Sequence, residues 1–431
     1  MPAASDGRRV AAGTARTPAG GALHPPLTRA VVWLAAVASG LAVASVYYAQ
    51  PLLDAIAHDL GLSPAAVGAV VTWTQVGYGI GLLLLVPLGD LFDRRRLIIG
   101  QTACSVLALG VVAAAPSAWV FLAAMAAVGA LAVVTQLHVA HASALAPAAQ
   151  RGRVVGTVTS GIITGILLAR AAAGVLADLW GWRAVYAAAA LGNLAVVWAL
   201  ASALPPQLRR NGRMTYAALV GSLFRLWREE RVLRERGLLA LLVFMAMTVL
   251  WTPMVLALRA PPHALTHTEV GLFGLAGVCG ALGATRAGPW ADRGFAQRTT
   301  GVALVLMLVS WAMSALLPHT LWGLVAGVLV IDFGLQAVHV SNQSLIYRVR
   351  PEAQSRLAAA YMVCYSIGCA LGSIASTALY DRAGWLGVCA LGAGINAAAL
   401  LVWARTRDGD AGRLCATATA RSATSSSSGR D

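Results

Sequence analysis

The stretch Pro87–Leu97, PLGDLFDRRRL, places two acidic and three basic side chains between two long apolar runs. This charge stands out because the 431-residue chain is 58% hydrophobic and only 11% charged, with a mean hydropathy of +0.72. Such values lie outside the composition of soluble domains and indicate a membrane protein. A bilayer core of roughly 30 Å needs about 20 apolar residues per helix, and runs of that length recur along the chain.

The apolar runs predict an all-α integral membrane protein with twelve membrane-spanning helices. Helices are favoured over a barrel because the runs are continuous, whereas barrel strands of about 10 residues alternate in polarity. The predicted spans 1 to 12 are 30–49, 65–87, 97–115, 118–143, 154–177, 184–203, 238–258, 270–288, 300–317, 320–346, 356–379 and 386–404.

Three sequence markers recur in register after about 200 residues, which indicates an internal repeat. The matching pairs are Asp93-Arg94 with Asp292-Arg293, Arg153 with Arg356, and Gly181-Trp182 with Gly384-Trp385. We therefore predict two pseudo-symmetric six-helix halves, an architecture that many secondary transporters share.

The repeat and the composition divide the chain into five parts: an N-terminal tail (1–28), a first half (29–204), a central loop (205–236), a second half (237–404) and a disordered C-terminal tail (405–431). The arginines gather in every second break between spans, although Arg183, Arg259 and Arg382 dilute the contrast. The positive-inside rule then predicts that both terminal tails and the central loop are cytoplasmic, and with them both termini. We expect the N-terminal tail to remain in the mature protein rather than to be a cleavable signal, because the apolar run after it is too long for one.

Several function classes are disfavoured by what the sequence lacks. The chain has no lysine, so it has no P-loop, and its arginines are too scattered among apolar spans for a nucleic-acid-binding face. Its six cysteines form no C-x-x-C pair, and no nucleophile-elbow context appears. We expect no enzyme activity, no cofactor and no metal.

The pattern Gly89-x-x-x-Asp93-Arg94, its echo Gly288 to Arg293 and the long central loop resemble the major facilitator superfamily over residues 30 to 404. The resemblance implies that the loop between spans 2 and 3 joins the halves on the cytoplasmic side in the outward-facing state. The gating residues it implies are Gly89, Asp90, Asp93, Arg94, Arg95, Arg96, Arg153, Asp292, Arg293 and Arg356. The alternative is that these charges only determine the orientation of the helices in the membrane.

The stretches VYYAQPLL in span 1 and TQVGYGIGLLLLVPLGD in span 2 resemble bacterial efflux-type members of the superfamily. The glycine-rich run of span 5, SGIITGILLARAAAG, keeps Gly161 and Gly165, which permit close helix contact. It lacks the proline of the usual exporter motif, so it supports export only in part.

Polar residues inside the spans mark a candidate substrate and proton pathway, because a charge at mid-bilayer costs about 2.5–3.5 kcal/mol on insertion scales. Span 10 carries Asp332, Gln336, His339 and Gln343 at a spacing that puts them on one helix face. Span 4 carries Gln136, His138 and His141, which either relay protons or only bond to neighbouring helices.

Arg170 in span 5 and Asp332 in span 10 lie at similar depth, about 15 and 18 Å below the outer surface at ~1.5 Å per residue. We hypothesise an Arg170–Asp332 salt bridge that opens on protonation or on substrate binding. The alternatives are that Arg170 binds an anionic substrate or pairs with carbonyl oxygens.

The remaining pathway candidates, Tyr47, Tyr48, Gln75, Tyr78 and Tyr365, follow from the helices that line the cavity in relatives. The sequence thus predicts a secondary active transporter in the bacterial cytoplasmic membrane, exporting a small organic compound in exchange for protons. A proton-coupled importer and a non-transporting sensor or scaffold are the alternatives. The expected partners are a small-molecule substrate, protons and the lipid bilayer, with a monomer as the functional unit and no nucleic acid.

Overall fold

The computed structural model describes residues 28–147, 150–204, 215–350 and 353–427, without the side chains of Asp292 and of residues 408–427. Within these ranges the chain is helical and has no strand. Eleven of the described helices are long and apolar enough to cross a bilayer. Their bounds are Arg29–Leu60 (span 1), Pro64–Leu91 (span 2), Arg94–Ala113 (span 3), Ala118–Leu145 (span 4), Arg151–Trp180 (span 5), Trp182–Ala203 (span 6), Arg231–Arg259 (span 7), His267–Ala291 (span 8), Ala296–Ser314 (span 9), Leu321–Val349 (span 10) and Gln354–Arg407 (spans 11 and 12).

The last of these helices supplies two crossings. Gly384 has φ +62° and ψ −162°, so the helical path breaks there and separates span 11 (354–383) from span 12 (385–407). Positive φ costs glycine little, which is why the sharp turn falls on this residue. The prediction of twelve spanning helices is therefore confirmed.

Three boundaries differ from the predictions. Span 1 continues through a 3₁₀ turn, Gln50–Leu52, into the helix Leu53–Leu60, because Pro51 tolerates the first turn of a new helix. The central loop contains an amphipathic helix, Tyr216–Glu229, and span 7 already begins at Arg231. At the other end the helix continues to Ser427, where we expected a disordered tail.

Within each half, neighbouring helices pack closely. Span 1 lies against span 5, and an ideal Cβ at Gly161 would be 2.3 Å from the carbonyl oxygen of Ala36. Gly165 makes the same kind of approach to Gly40, at 2.3 Å from its carbonyl oxygen. Only glycine allows this distance, so the predicted role of Gly161 and Gly165 is confirmed. In the second half, span 7 packs along span 11, and span 10 packs against spans 8 and 9.

The two halves meet along two helix pairs, spans 2 and 11 and spans 5 and 8. Hydrogen bonds join spans 2 and 11 from the predicted outer end, where the Thr377 hydroxyl donates to the Ala65 carbonyl oxygen at 3.1 Å, down to mid-membrane. There the Ser366 hydroxyl donates to the carbonyl oxygen of Gln75 at 2.5 Å. Inter-half packing is therefore concentrated between the membrane centre and the predicted outer side.

Candidate functional site

A cavity of ≈ 100 Å³ lies between the halves, where spans 5 and 8 part below their contact. Spans 1, 5, 7, 8 and 10 line it. Its polar and aromatic lining includes Tyr47, Arg170, Trp251, Asp332 and Gln336. The structure therefore brings the two predicted intramembrane charges, Arg170 and Asp332, to one cavity.

Arg170 is 4% exposed and is held on several sides. Its Nε donates to Oε1 of Gln50 at 2.6 Å, from the point where span 1 bends. Its guanidinium carbon lies 3.9 Å from the ring centre of Trp251 and 5.0 Å from that of Tyr47. Cation–π contacts of this kind stabilise a desolvated guanidinium by about 2 kcal/mol each.

Asp332 is 7% exposed and accepts a long hydrogen bond, 3.4 Å, from Nε1 of Trp251 to its Oδ1. The structure contains no direct ion pair between Asp332 and Arg170 among its described contacts, so the hypothesised salt bridge is absent from this conformation. The indole ring explains the difference, because its face contacts the guanidinium while its edge contacts the carboxylate. Trp251 therefore contacts both of the opposite charges that face the same cavity.

The four polar candidates of span 10 lie in more than one environment. Gln336 lines the cavity together with Asp332. One turn further, Nδ1 of His339 lies 3.1 Å from the hydroxyl of Tyr361 in span 11, and its ring packs edge-on against Phe244. Gln343 is half-buried nearer the predicted cytoplasmic end.

An aromatic cluster closes the cavity toward span 11. The hydroxyls of Tyr47 and Tyr365 lie 3.2 Å apart across the halves, and Tyr78 packs edge-on against Tyr365 with ring centres 6.2 Å apart. Gln75 is buried beside them, with Oε1 3.5 Å from the Ser366 hydroxyl.

Tyr48 differs from the other tyrosines. Its ring packs edge-on against Tyr186, and Tyr186 in turn contacts Phe121 and Trp182 inside the first half. Successive helical residues point about 100° apart, so Tyr47 and Tyr48 cannot share a face. In this conformation Tyr48 therefore packs inside the first half and is not among the residues that line the cavity.

The span 4 candidates lie within the first half. His138 is 2% exposed, and its Nδ1 lies 3.0 Å from the hydroxyl of Ser39 in span 1. His141 is buried one turn away, and Gln136 lies beside the hydroxyl of Tyr78. None of the three lines the cavity that holds Arg170 and Asp332.

The charged stretch that joins spans 2 and 3 is tied to its own half. Arg94 donates to the carbonyl oxygens of Gly89 at 3.1 Å and Ala140 at 3.3 Å, and pairs with Asp90 at 3.4 Å. A Cβ on Gly89 would lie 2.4 Å from a methyl group of Leu137, so this backbone sits directly on span 4.

The following residues begin span 3. Asp93 caps the helix by accepting from the backbone N–H of Arg95 at 2.9 Å, and the Arg95 side chain donates to the carbonyl oxygen of Ala201 at 2.7 Å. Arg96, Arg153 and Arg293 are exposed, and Arg356 is half-buried. The side chain of Asp292 lies outside the described residues.

A charged cluster at the predicted outer side was missed by the sequence analysis, and we call Asp54, Asp178, Arg259, His267 and Thr268 the outer lock. Both carboxylates come from the first half, and their partners come from the second. Asp54 accepts from Arg259 Nε at 2.6 Å and lies 3.2 Å from His267 Nε2. Asp178 lies 2.8 Å from His267 Nδ1 and accepts from the Thr268 N–H at 2.7 Å and from its hydroxyl at 2.6 Å.

Two residues of the site itself were also missed, Gln50 and Trp251. Trp251 carries a usable signal, because it lies in the middle of a predicted span rather than at the interface where most membrane tryptophans are found. Gln50 gives no such signal, since it stands at the predicted end of span 1. Its role depends on the helical continuation of that span.

Comparison with known proteins places the chain among transporters. The family model described as Major Facilitator Superfamily matches residues 32–260 and 237–423. A transporter of Escherichia coli K12, YgaY, is 45% identical over 88% of this chain and 96% of its own length. A chloramphenicol resistance protein of Streptomyces lividans is 31% identical over 86% of this chain and 94% of its own length.

Solved structures agree on the fold. A bacterial homologue of the human lysosomal transporter Spinster, in an inward-facing and unoccupied conformation, superposes with a TM-score of 0.69 at 14% identity, over 90% of this chain and 97% of that one. The nucleoside transporter NupG superposes with a TM-score of 0.70 at 13% identity, over 87% of this chain and 99% of that one. The protein is a multi-pass membrane transporter rather than an enzyme, and it belongs to the Major Facilitator Superfamily.

Proposed function

We propose that this protein exports a small organic compound across the bacterial cytoplasmic membrane in exchange for protons, as a monomer with both termini in the cytoplasm. The similarity to a chloramphenicol resistance protein supports export. The excess of arginine in alternate breaks supports the orientation.

The observation that carries the proton coupling is the environment of Asp332. Among the described residues it is the one acidic side chain in the buried set, and it lines the cavity between the halves. A carboxylate in this position is costly when ionised unless a ligand or a cation neutralises it. Protonation removes that cost, so Asp332 has the properties of a group that carries a proton in one stage of the cycle and releases it in another.

The contacts between the halves supply the second element of the mechanism. Spans 2 and 11 and the outer lock hold the halves together at the predicted outer side, so we assign this conformation to the inward-facing state. In the outward-facing state these contacts would break, and the stretch around Gly89, Asp90, Arg94 and Arg96 would meet the second half instead. In the present conformation Arg94 contacts only its own half through these bonds, to Gly89 and Ala140, so contacts with the second half would have to form in the outward-facing state.

The test is substrate-driven proton movement in sealed vesicles that contain the purified protein and an internal pH dye. Drugs, sugars and organic anions are added in turn to the wild type and to Asp332→Asn. Export by exchange predicts a proton flux opposite in direction to the substrate, and this flux should fall at least tenfold in Asp332→Asn.

Asp381→Asn is the matched control, because Asp381 is exposed near the predicted outer end of span 11 and should leave the flux unchanged. Flux in the same direction as the substrate would instead indicate an importer. Transport that keeps its full pH dependence in Asp332→Asn would contradict the proposed role of Asp332.

A further inference from the structure

The terminal nitrogens of Arg170 are available to a ligand. The hydrogen bond to Gln50 uses Nε, and the guanidinium face rests on Trp251. No described residue accepts a hydrogen bond from Nη1 or Nη2, although Arg170 is buried and lines the cavity. A buried guanidinium without an acceptor on its open edge is suited to bind a carboxylate through two parallel N–H···O bonds.

Asp332 supplies the opposite charge on the other side of the same indole. Its Oδ1 accepts only the long bond from Trp251, and no described residue donates to its Oδ2. An ammonium group, with three donors, would satisfy these oxygens and neutralise the charge. Arg170 and Asp332 both contact Trp251, so the distance between the guanidinium and the carboxylate cannot exceed the width of one indole ring plus these two contacts.

The two charges together restrict the ligand. A simple anion would be attracted by Arg170 and repelled by ionised Asp332, while a simple cation would meet the reverse. An uncharged compound would leave both buried charges without a partner, which is costly. The cavity is also small, ≈ 100 Å³ against roughly 300–1,000 Å³ for sites that hold drug-sized ligands.

We propose that the substrate is a small zwitterion whose carboxylate binds Arg170 and whose ammonium group binds Asp332. This inference rests on the proposed function, since it places the substrate at the acid assigned to the proton. The ammonium group and the proton then compete for one carboxylate, so zwitterion binding weakens as the pH falls. That competition is the exchange step that an antiporter needs.

The experiment is calorimetric binding to purified protein in detergent at fixed pH. The probes are L-alanine and the ω-amino acids from glycine to 6-aminohexanoate, compared with pentanoate, which lacks the amine, and pentylamine, which lacks the carboxylate. We expect the best zwitterion to bind at least tenfold more tightly than either comparison compound. The optimum chain length then reports the distance between the two charges.

Variants test each contact separately. Arg170→Gln should abolish the advantage of zwitterion over pentylamine, and Asp332→Asn should abolish its advantage over pentanoate. Arg170→Lys keeps the positive charge but not the paired donors, so it should bind the zwitterion more weakly than the wild type. It replaces Arg170→Gln as the test if that variant does not fold. Arg183→Gln is the control, because Arg183 pairs with Asp59 away from the cavity.

Pentanoate or pentylamine binding as tightly as the best zwitterion would overturn the inference, and so would the absence of binding by every zwitterion in the series. Proton flux with another class of compound, in the absence of zwitterion binding, would refute the substrate class and leave the exchange function standing.

Discussion

The guanidinium carbon of Arg170 lies 3.9 Å from the ring centre of Trp251, whose Nε1 donates to Asp332 at 3.4 Å. A direct buried ion pair would be strongly coupled, since removal of one partner leaves an isolated charge and costs about 3–5 kcal/mol. Here both charged groups contact one neutral ring, so the two side chains are linked through Trp251.

This arrangement predicts weak direct coupling between Arg170 and Asp332. In a double-mutant cycle of Arg170→Gln and Asp332→Asn, the interaction free energy should be about 2 kcal/mol or less, because the charges interact across several ångströms without a direct contact. Equilibrium unfolding in mixed micelles measures it. In a Trp251→Ala background the two charges are free to approach, and the coupling should rise above 2 kcal/mol; an unchanged value would show that the ring does not separate them.

The outer lock predicts a shift in the balance between the two open states. Asp178→Asn removes the charge that accepts hydrogen bonds from His267 and Thr268. Charged hydrogen bonds contribute about 1.5–3 kcal/mol, so the outward-open population should rise roughly tenfold or more. Fluorescent labels at Ser117 and His319, in outer loops of the two halves, measure this as an increase in distance.

The control for this variant is Asp59→Asn. Asp59 lies on the same side but accepts from Trp182 and Arg183, which belong to its own half. Its removal should leave the distance between the labels unchanged. Equal shifts in both variants would mean that the loss of a negative charge, rather than the loss of an inter-half contact, opens the outer side.

A third prediction concerns the contact between spans 2 and 11. An ideal Cβ at Gly68 would lie 2.4 Å from the Thr377 hydroxyl and 2.5 Å from the carbonyl oxygen of Ser373. Gly68→Val should therefore push the outer ends apart and raise the outward-open population in the same distance measurement. Gly100→Ala adds a Cβ with no atom within 4 Å, and it should change nothing.

Replacement of Arg96 is expected to change the outward-open population in the opposite direction. It is exposed in this conformation, and we propose that it contacts the second half only when the predicted cytoplasmic side closes. Arg96→Gln should therefore lower the outward-open population, whereas Asp178→Asn raises it. Arg225→Gln removes another exposed arginine, on the helix Tyr216–Glu229, and should leave the outward-open population unchanged. An equal decrease in Arg225→Gln would mean that the loss of surface charge, rather than of a contact of Arg96, lowers this population.

Much of the fold could be predicted from the sequence because the bilayer imposes helix length and composition. The twelve crossings, the close packing at Gly161 and Gly165 and the placement of Asp332 inside the membrane all follow from local patterns. Boundaries were harder to predict, since the helical continuation of span 1 past Pro51 depends on packing rather than hydropathy.

The site was predictable only in part, for a related reason. Equal depth predicted that Arg170 and Asp332 could meet, and both line one cavity, but depth contains no information on which side chain contacts them both. The outer lock joins Asp178 and His267 from different halves, in breaks where single charges appear unremarkable. Only the relative placement of the two halves gives these residues a common role.

The outer lock has a consequence for the effect of salt at the predicted outer side. Its carboxylates, Asp54 and Asp178, belong to one half, while Arg259 and His267 belong to the other. When the halves separate, each exposes charge mainly of one sign, and the attraction that draws them together again acts through solvent. Salt screens such attraction over about 10 Å at 0.1 M. The ionic strength at the predicted outer side would then set how quickly the two halves close there again.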